Sequence, residues 1–364
     1  MYNCIICKNQ TINLKIPNLK SVIPMGDKLS KFILLQCGYC GHIQKKIDVV
    51  WKKSIKNLYS QKYFFLGKHI SIEKKKVINR NDQSVNLISK SLKLKRLGNF
   101  LDIGCGAGQF IESFLKIKKN WNVYAHDLTE LNKKKVSKYK IKKFFVGDIK
   151  KIDKKFDLIS MNHVLEHLTT PTQTLKDVKR LLKKDGKLVL RLPNIQYVHT
   201  DLTIQDHCSH FDYNSLLNLL RITGFTIVKS LNKINPIELF LIVKKTDKTL
   251  KIKKKKIDNK KLHNLLWPSR VCSHIKNNRS KKIGIFGVGT ASFYYFAALK
   301  KKISFFVDED PLKIDKQYYN RKIHNIKKIP DGSDVYIGIH NQEFANKIKK
   351  RISKINKKVN FIVP

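Results

Sequence analysis

Residues 100–110 read FLDIGCGAGQF: an apolar run, an aspartate near its end, then spaced glycines entering a helix-like segment. No other feature restricts the fold as strongly. A strand running into Gly-x-Gly-x-Gly must turn sharply and start a helix whose first amides are left to face a ligand. Four more apolar stretches follow: WNVYAHD (121–127), KKFFVGD (142–148), FDLISM (156–161) and GKLVLRLP (186–193). Helix-like sequence separates them, which predicts a parallel α/β sheet over residues 91–245.

The flanking regions differ in character. Residues 1–55 carry two cysteine pairs among short β-prone stretches such as FILLQC, and residues 56–90 are polar, lysine-rich and helix-like. Residues 246–262 belong to a run, KKTDKTLKIKKKKIDNKK, so charged that it predicts a solvated connector or exposed helix. From 263 to 364 a smaller strand–helix alternation begins again, with KKIGIFGVG, ISFFVDED, DVYIGI and VNFIV as strands.

A formal charge of +48 invites a nucleic-acid reading. Of the 75 basic residues, however, 66 are Lys and 9 are Arg, and they are spread along the whole chain. Base edges and bidentate phosphate contacts favour Arg, so the excess reads as compositional drift that would still attract phosphate-bearing substrates. No run reaches the eighteen or so apolar residues of a membrane span, and the first residues lack a secretory core. The expectation is a cytoplasmic protein.

Cys4 and Cys7 form one CxxC, and Cys37 and Cys40 another, 29 residues apart. Two such knuckles can present four thiolates to a zinc ion, with Gly38 and Gly41 easing the turns. A four-thiolate set leaves no open position, so the zinc would be structural; His42 is a weaker substitute ligand.

Three aspartates follow the strands. Asp102 precedes Gly104, Gly106 and Gly108, where it would repel a pyrophosphate but suit a cationic ligand. Asp127 ends the next strand, where a carboxylate can accept both hydroxyls of a ribose. Asp148 ends the third, placed to meet an adenine amino group with Ile149 beside the ring. Each alone could be a surface charge or helix cap. Together with FDLISMNHVLEHL and LLKKDGKLVLRLPN, these segments resemble the successive motifs of class I S-adenosylmethionine-dependent methyltransferases over residues 99–245. The resemblance implies a Rossmann-like core, cofactor contacts at Asp102, Gly104, Gly106, Asp127 and Asp148, and a pocket lined by Asn162 and His163. It leaves Glu166 and His167 as packing or rim residues.

The whole layout resembles the three-part sugar C-methyltransferases, which act on nucleotide-linked keto-deoxysugars and carry a zinc-binding lobe and a C-terminal Rossmann-like domain. In TDLTIQDHCSHFDYNSLLNLL, His207 and His210 lie three apart beyond the fifth strand, with Asp206 placed to orient one of them. Aligning HxSxF puts His207 on that family's last histidine of a Tyr-His-Glu-His run, and Asp206 on its glutamate. Gln205 and Ile204 replace the first histidine and the tyrosine, so oxygen or nitrogen fits as the methylated atom as well as carbon. Cys208 reads as a packing residue. The resemblance implies a small-molecule acceptor; an RNA or DNA methyltransferase and a non-catalytic binding protein are the alternatives.

A second glycine turn, IGIFGVGTASF, lies at 283–293. Gly284, Gly287 and Gly289 follow lysines, and Asp308 ends the next strand, as in a dinucleotide fingerprint. Ser292 stands where the third glycine would be. An accessory lobe that closes over the cleft is the expectation, with a nicotinamide dinucleotide a lesser one.

Overall fold

The computed structural model describes residues 2–16, 19–22, 28–60, 70–73, 76–232, 235–255 and 263–364. The strands run β1 (Thr11–Leu14), β2 (Ser21–Val22), β3 (Leu29–Ser30), β4 (Leu34–Cys37) and β5 (Ile43–Lys45), followed by α1 (Val49–Ser60). A hairpin of β6 (Ile70–Glu73) and β7 (Lys76–Asn79) leads to α2 (Arg80–Leu92). The stretch expected as a helical connector thus contains a hairpin, and its residues 61–69, 74 and 75 lie outside the described residues. Val85 and Ile88 of α2 are buried with Phe110 and Phe114, so this helix packs into the central unit.

That unit holds β8 (Asn99–Ile103), α3 (Gln109–Ile117), β9 (Asn122–Asp127), α4 (Lys133–Ser137), β10 (Lys143–Val146), β11 (Phe156–Asn162), α5 (Pro171–Leu181) and β12 (Leu182–Pro193). After β13 (Ser209–His210) come α6 (Tyr213–Thr223), β14 (Phe225–Ser230) and β15 (Glu238–Lys245). Seven strands form one sheet in the order β10-β9-β8-β11-β12-β15-β14, with β15 antiparallel to both its neighbours. The order reverses between β8 and β11, and the crevice outside the carboxyl ends of these strands is where such sheets bind ligands. The strand β8 is buried from Phe100 to Ile103, as expected of a central strand covered on both faces. Phe110, Ile111 and Phe114 bury the inner face of α3 against it.

The C-terminal unit comprises α7 (Trp267–Asn277), β16 (Ile283–Phe286), α8 (Thr290–Leu299), β17 (Phe305–Val307), β18 (Gln317–Tyr318), β19 (Arg321–His324), β20 (Asp334–Tyr336), α9 (Gln342–Ile352) and β21 (Asn360–Ile362). Its sheet runs β18-β19-β17-β16-β20-β21. Gly284 is needed here for packing: a Cβ would sit 2.2 Å from the Phe305 ring.

The short strand β13 does not join the central sheet. It pairs with β5, extending the cysteine lobe to β1-β4-β5-β13. The segment with the candidate histidines is therefore held by the N-terminal lobe. The lysine-rich run after β15 forms no helix in its described part. Leu250 N–H donates to the Arg221 carbonyl, Lys253 N–H to Asn218 and Lys255 N–H to the Tyr39 carbonyl, laying it along the end of α6 toward the cysteine lobe. Residues 256–262 of the expected linker lie outside the described residues.

Candidate functional site

The four paired cysteines converge. Cys4 Sγ lies 3.7 Å from Cys40 Sγ and Cys7 Sγ 3.3 Å from Cys37 Sγ, and all four sulfurs fall within 4.8 Å of one another with no disulfide among them. Tetrahedral zinc–sulfur bonds of about 2.3 Å would space the sulfurs by roughly 3.8 Å, so the donor set fits that ion. Gly41 takes φ +71° beyond the second knuckle, whereas Gly38 is not in the left-handed region; Lys8 takes φ +64° beyond the first. Only one of the two expected glycines therefore serves the turn. His42 is not part of the cluster: its Nε2 meets Ser209 Oγ at 2.8 Å.

At the central glycine turn, Gly104, Gly106 and Gly108 all have positive φ. Space around Gly106 is open, while a Cβ on Gly104 would sit 2.5 Å from Val164 Cγ2. Asp127 at the end of β9 accepts Gly106 N–H at 3.1 Å and Leu128 N–H at 2.7 Å, tying the turn to the neighbouring strand. Its burial pushes the carboxyl up. Asp102 is 2% exposed and accepts Ser160 Oγ at 2.5 Å and Asn162 Nδ2 at 3.5 Å. Burial pushes this group up to about 7, against the pull of those two hydrogen bonds. The negative charge expected there is thus only partly developed near neutrality. Asp148 is an exposed cap, accepting Lys150 N–H at 3.0 Å, and Ile149 is buried in the core behind it. His163 adopts φ +52°, its ring held between Glu166 at 3.2 Å and Glu238 at 2.9 Å.

The segment after β12 brings the histidines together, with a correction. His207 Nδ1 and His210 Nδ1 each lie 2.6 Å from an oxygen of Asp201, which orients both rings. Asp206, the residue expected to do so, instead meets His167 Nδ1 at 3.1 Å, because its position on the loop faces the 165–167 turn. The carboxylate of Asp201 can only accept, so each Nδ1 carries a hydrogen, and in a neutral ring the lone pair falls on Nε2. Although burial alone would raise Asp201, His207 and His210 hold it well below the usual carboxylate range. Burial lowers His210, against the pull of the Asp201 carboxylate. The His167 ring stands edge-on to His207 with centroids 4.6 Å apart. Burial works against its charge, but Asp206 and Glu166 hold it up at about 9. Cys208 is fully buried, as expected of a packing residue.

Four contributors had no signal in the sequence. Lys45, from the cysteine lobe, is fully buried and donates to the carbonyls of Ile204 and Gln205, fixing the loop before His207. Burial brings its ammonium down to about 8. Asp201 lies six residues before His207, outside any spacing that marks a pair. Arg191 and Glu238 are both buried beside His163, Arg191 donating to Asn81 and Ser84 and Glu238 pairing with Arg80 at 2.6 Å. A cavity of about 430 Å³ opens between the lobes, reaching His199, His210, Lys255, Arg270 and Asn341. Its lining includes His210 and no residue of the glycine turn. The C-terminal unit closes one wall, with Asn341 Nδ2 donating to the Tyr197 carbonyl at 2.6 Å.

The second glycine turn is differently furnished. Asp308 accepts Val288 N–H at 2.7 Å and Lys313 Nζ at 3.2 Å. Ser292 Oγ accepts Gly289 N–H at 2.9 Å, satisfying a donor at the start of α8.

Residues 74–230 match the family model described as a methyltransferase domain. A malonyl-[acyl-carrier protein] O-methyltransferase of Halalkalibacterium halodurans is 34% identical over 99 residues, covering 24% of this chain and 36% of that enzyme. The chain thus spans about a third of that relative's length. Among solved structures, the 1,6-didemethyltoxoflavin-N1-methyltransferase of Burkholderia thailandensis is similar at TM-score 0.42 and 19% identity, over 57% of this chain and 96% of that one. An S-adenosylmethionine-dependent methyltransferase of Clostridium acetobutylicum is similar at TM-score 0.40 and 13% identity, over 54% and 99%. The glycine turn and every strand of the seven-stranded α/β sheet except β15 thus lie within the stretch that matches a methyltransferase domain.

Proposed function

We propose that the protein transfers a methyl group from S-adenosylmethionine to a small-molecule acceptor, a nucleotide-linked sugar or sugar-derived compound. One observation carries this reading: Asp201 anchors two histidines by Nδ1 on the segment that follows β12. In-line displacement at a sulfonium methyl needs little from a protein beyond positioning, exclusion of water and removal of the acceptor's proton. A neutral imidazole held in one tautomer by a carboxylate suits the last task. His207 and His210 are the candidates for that base, with Asp201 in the orienting role first given to Asp206. Asp127, with open space at Gly106, would take the cofactor's ribose, while Asp102 and Asn162 would face its methionine end.

Zinc at Cys4, Cys7, Cys37 and Cys40 belongs to the same proposal, as a structural ion whose lobe holds β13 and Lys45 against the site. No described helix is long and apolar enough to cross a membrane. The proposal is tested by mass spectrometry of nucleotide-sugar pools incubated with enzyme and methyl-labelled cofactor. A one-methyl mass gain on one species supports it. Gain on RNA instead, or none on any pool, rejects the sugar assignment.

A further inference from the structure

We infer that Glu166, His167 and His207 form a binding site for a divalent transition-metal ion, separate from the four-cysteine cluster. The three residues each present one ligand atom, all within 4.8 Å of one another. His207 gives its Nδ1 hydrogen to Asp201, and His167 lies with Nδ1 3.1 Å from Asp206. Metal-bound histidines are held in this way, one ring nitrogen fixed by a carboxylate and the other turned to the ion. Glu166 is 1% exposed; its Oε1 meets His163, and its buried Oε2 has no hydrogen-bond partner among the described residues. A buried carboxylate oxygen left unspent is costly, and a cation would satisfy it.

Two imidazoles and one carboxylate suit zinc, iron, cobalt or manganese, and three protein ligands leave positions open for a second molecule. Bonds of about 2.1 Å would space tetrahedral ligands by roughly 3.4 Å, a contraction that small side-chain rotations supply. Carboxylates dominate the surroundings: Asp201 and Asp206 stand behind the rings, opposed by the buried Lys45 ammonium and by the His167 proton that a bound ion would displace. For the chemistry the inference rests on the methyl-transfer reading. A bound ion would hold two oxygens of the acceptor, such as a vicinal diol or hydroxy-ketone. His207 would then be a ligand, and His210 the base.

The experiment is titration of the zinc-replete protein with Co²⁺, followed by visible absorption and metal counting. Uptake of one cobalt with a nitrogen- and oxygen-ligated spectrum, zinc retained, is the expected result. Binding should weaken at least ~10-fold in H167Q and H207Q and ~10–100-fold in D206N. Each variant is first shown to bind S-adenosylhomocysteine, so that loss of cobalt is not loss of fold. No uptake by the wild type, uptake only by thiolate exchange with zinc, or equal uptake by the variants overturns the inference. No cobalt uptake by a protein that still transfers methyl groups would sink the metal site and spare the functional reading. Cobalt uptake in a protein that binds no cofactor would do the reverse.

Discussion

The two glycine turns of this chain look alike as strings of letters and differ in what their own side chains have used up. In the first, Asp127 receives two backbone amides and, among the described residues, no ammonium, and space beside Gly106 is open. In the second, Asp308 receives Val288 N–H and the Lys313 ammonium, and Ser292 takes the amide at the start of α8. A carboxylate already met by a lysine has less to offer a ribose, and a helix end already capped has less to offer a phosphate. The glycine spacing reports a strand–turn–helix; the occupancy of its donors and acceptors reports whether a ligand is expected there.

The largest effect should separate the turns directly. Asp127→Ala should weaken S-adenosylmethionine binding at least ~100-fold in isothermal titration, the loss expected of hydrogen bonds to a charged group. Asp308→Ala should leave that affinity within twofold. Equal losses would erase the distinction. Next, if chemistry belongs only to the first turn's cleft, His207→Ala should lower turnover ~10²–10⁴-fold with cofactor affinity unchanged. Unimpaired turnover would remove His207 from the reaction. Cys37→Ser should release about one zinc per chain by metal analysis and lower turnover, because β13 hangs on the cysteine lobe; a metal count of zero in the wild type would reject that site.

A smaller effect follows from Asp102. Its carboxyl is raised to about 7 in the folded chain, so it gains charge as pH rises through that value. A cationic cofactor should therefore bind more tightly at pH 8 than at pH 6, by up to about tenfold, and Asp102→Asn should flatten the profile. A flat wild-type profile would show that this carboxylate does not sense the ligand. The smallest test is Lys313→Ala, which frees Asp308. A dinucleotide should still bind weakly or not at all, since Ser292 keeps the helix end capped. Tight binding would mean that the lysine alone closes the second turn.

Much of the fold was legible because its signals are local. The strands expected at 100–104, 121–127, 142–148, 156–161 and 186–193 are β8 to β12, and the C-terminal alternation appears as β16, β17, β20 and β21, with the β18–β19 hairpin unforeseen. Asp148 shows the limit of such reading. Its position at a strand end was right, but its carboxylate caps the next turn. The connector was misread because lysine-rich sequence hides the hairpin and the apolar face of α2.

What the sequence determined by itself is the set of short-range geometries: glycines where φ must be positive, aspartates at strand ends, cysteines in pairs. These follow from backbone sterics and side-chain reach within a few residues. Tertiary structure alone decided that Asp201 rather than Asp206 orients His207 and His210, and that Asp206 serves His167. It alone brought Lys45 and β5 to the same loop. Those choices depend on which of several equally spaced charges is buried beside which ring, a matter of desolvation and packing between distant segments that no local spacing encodes.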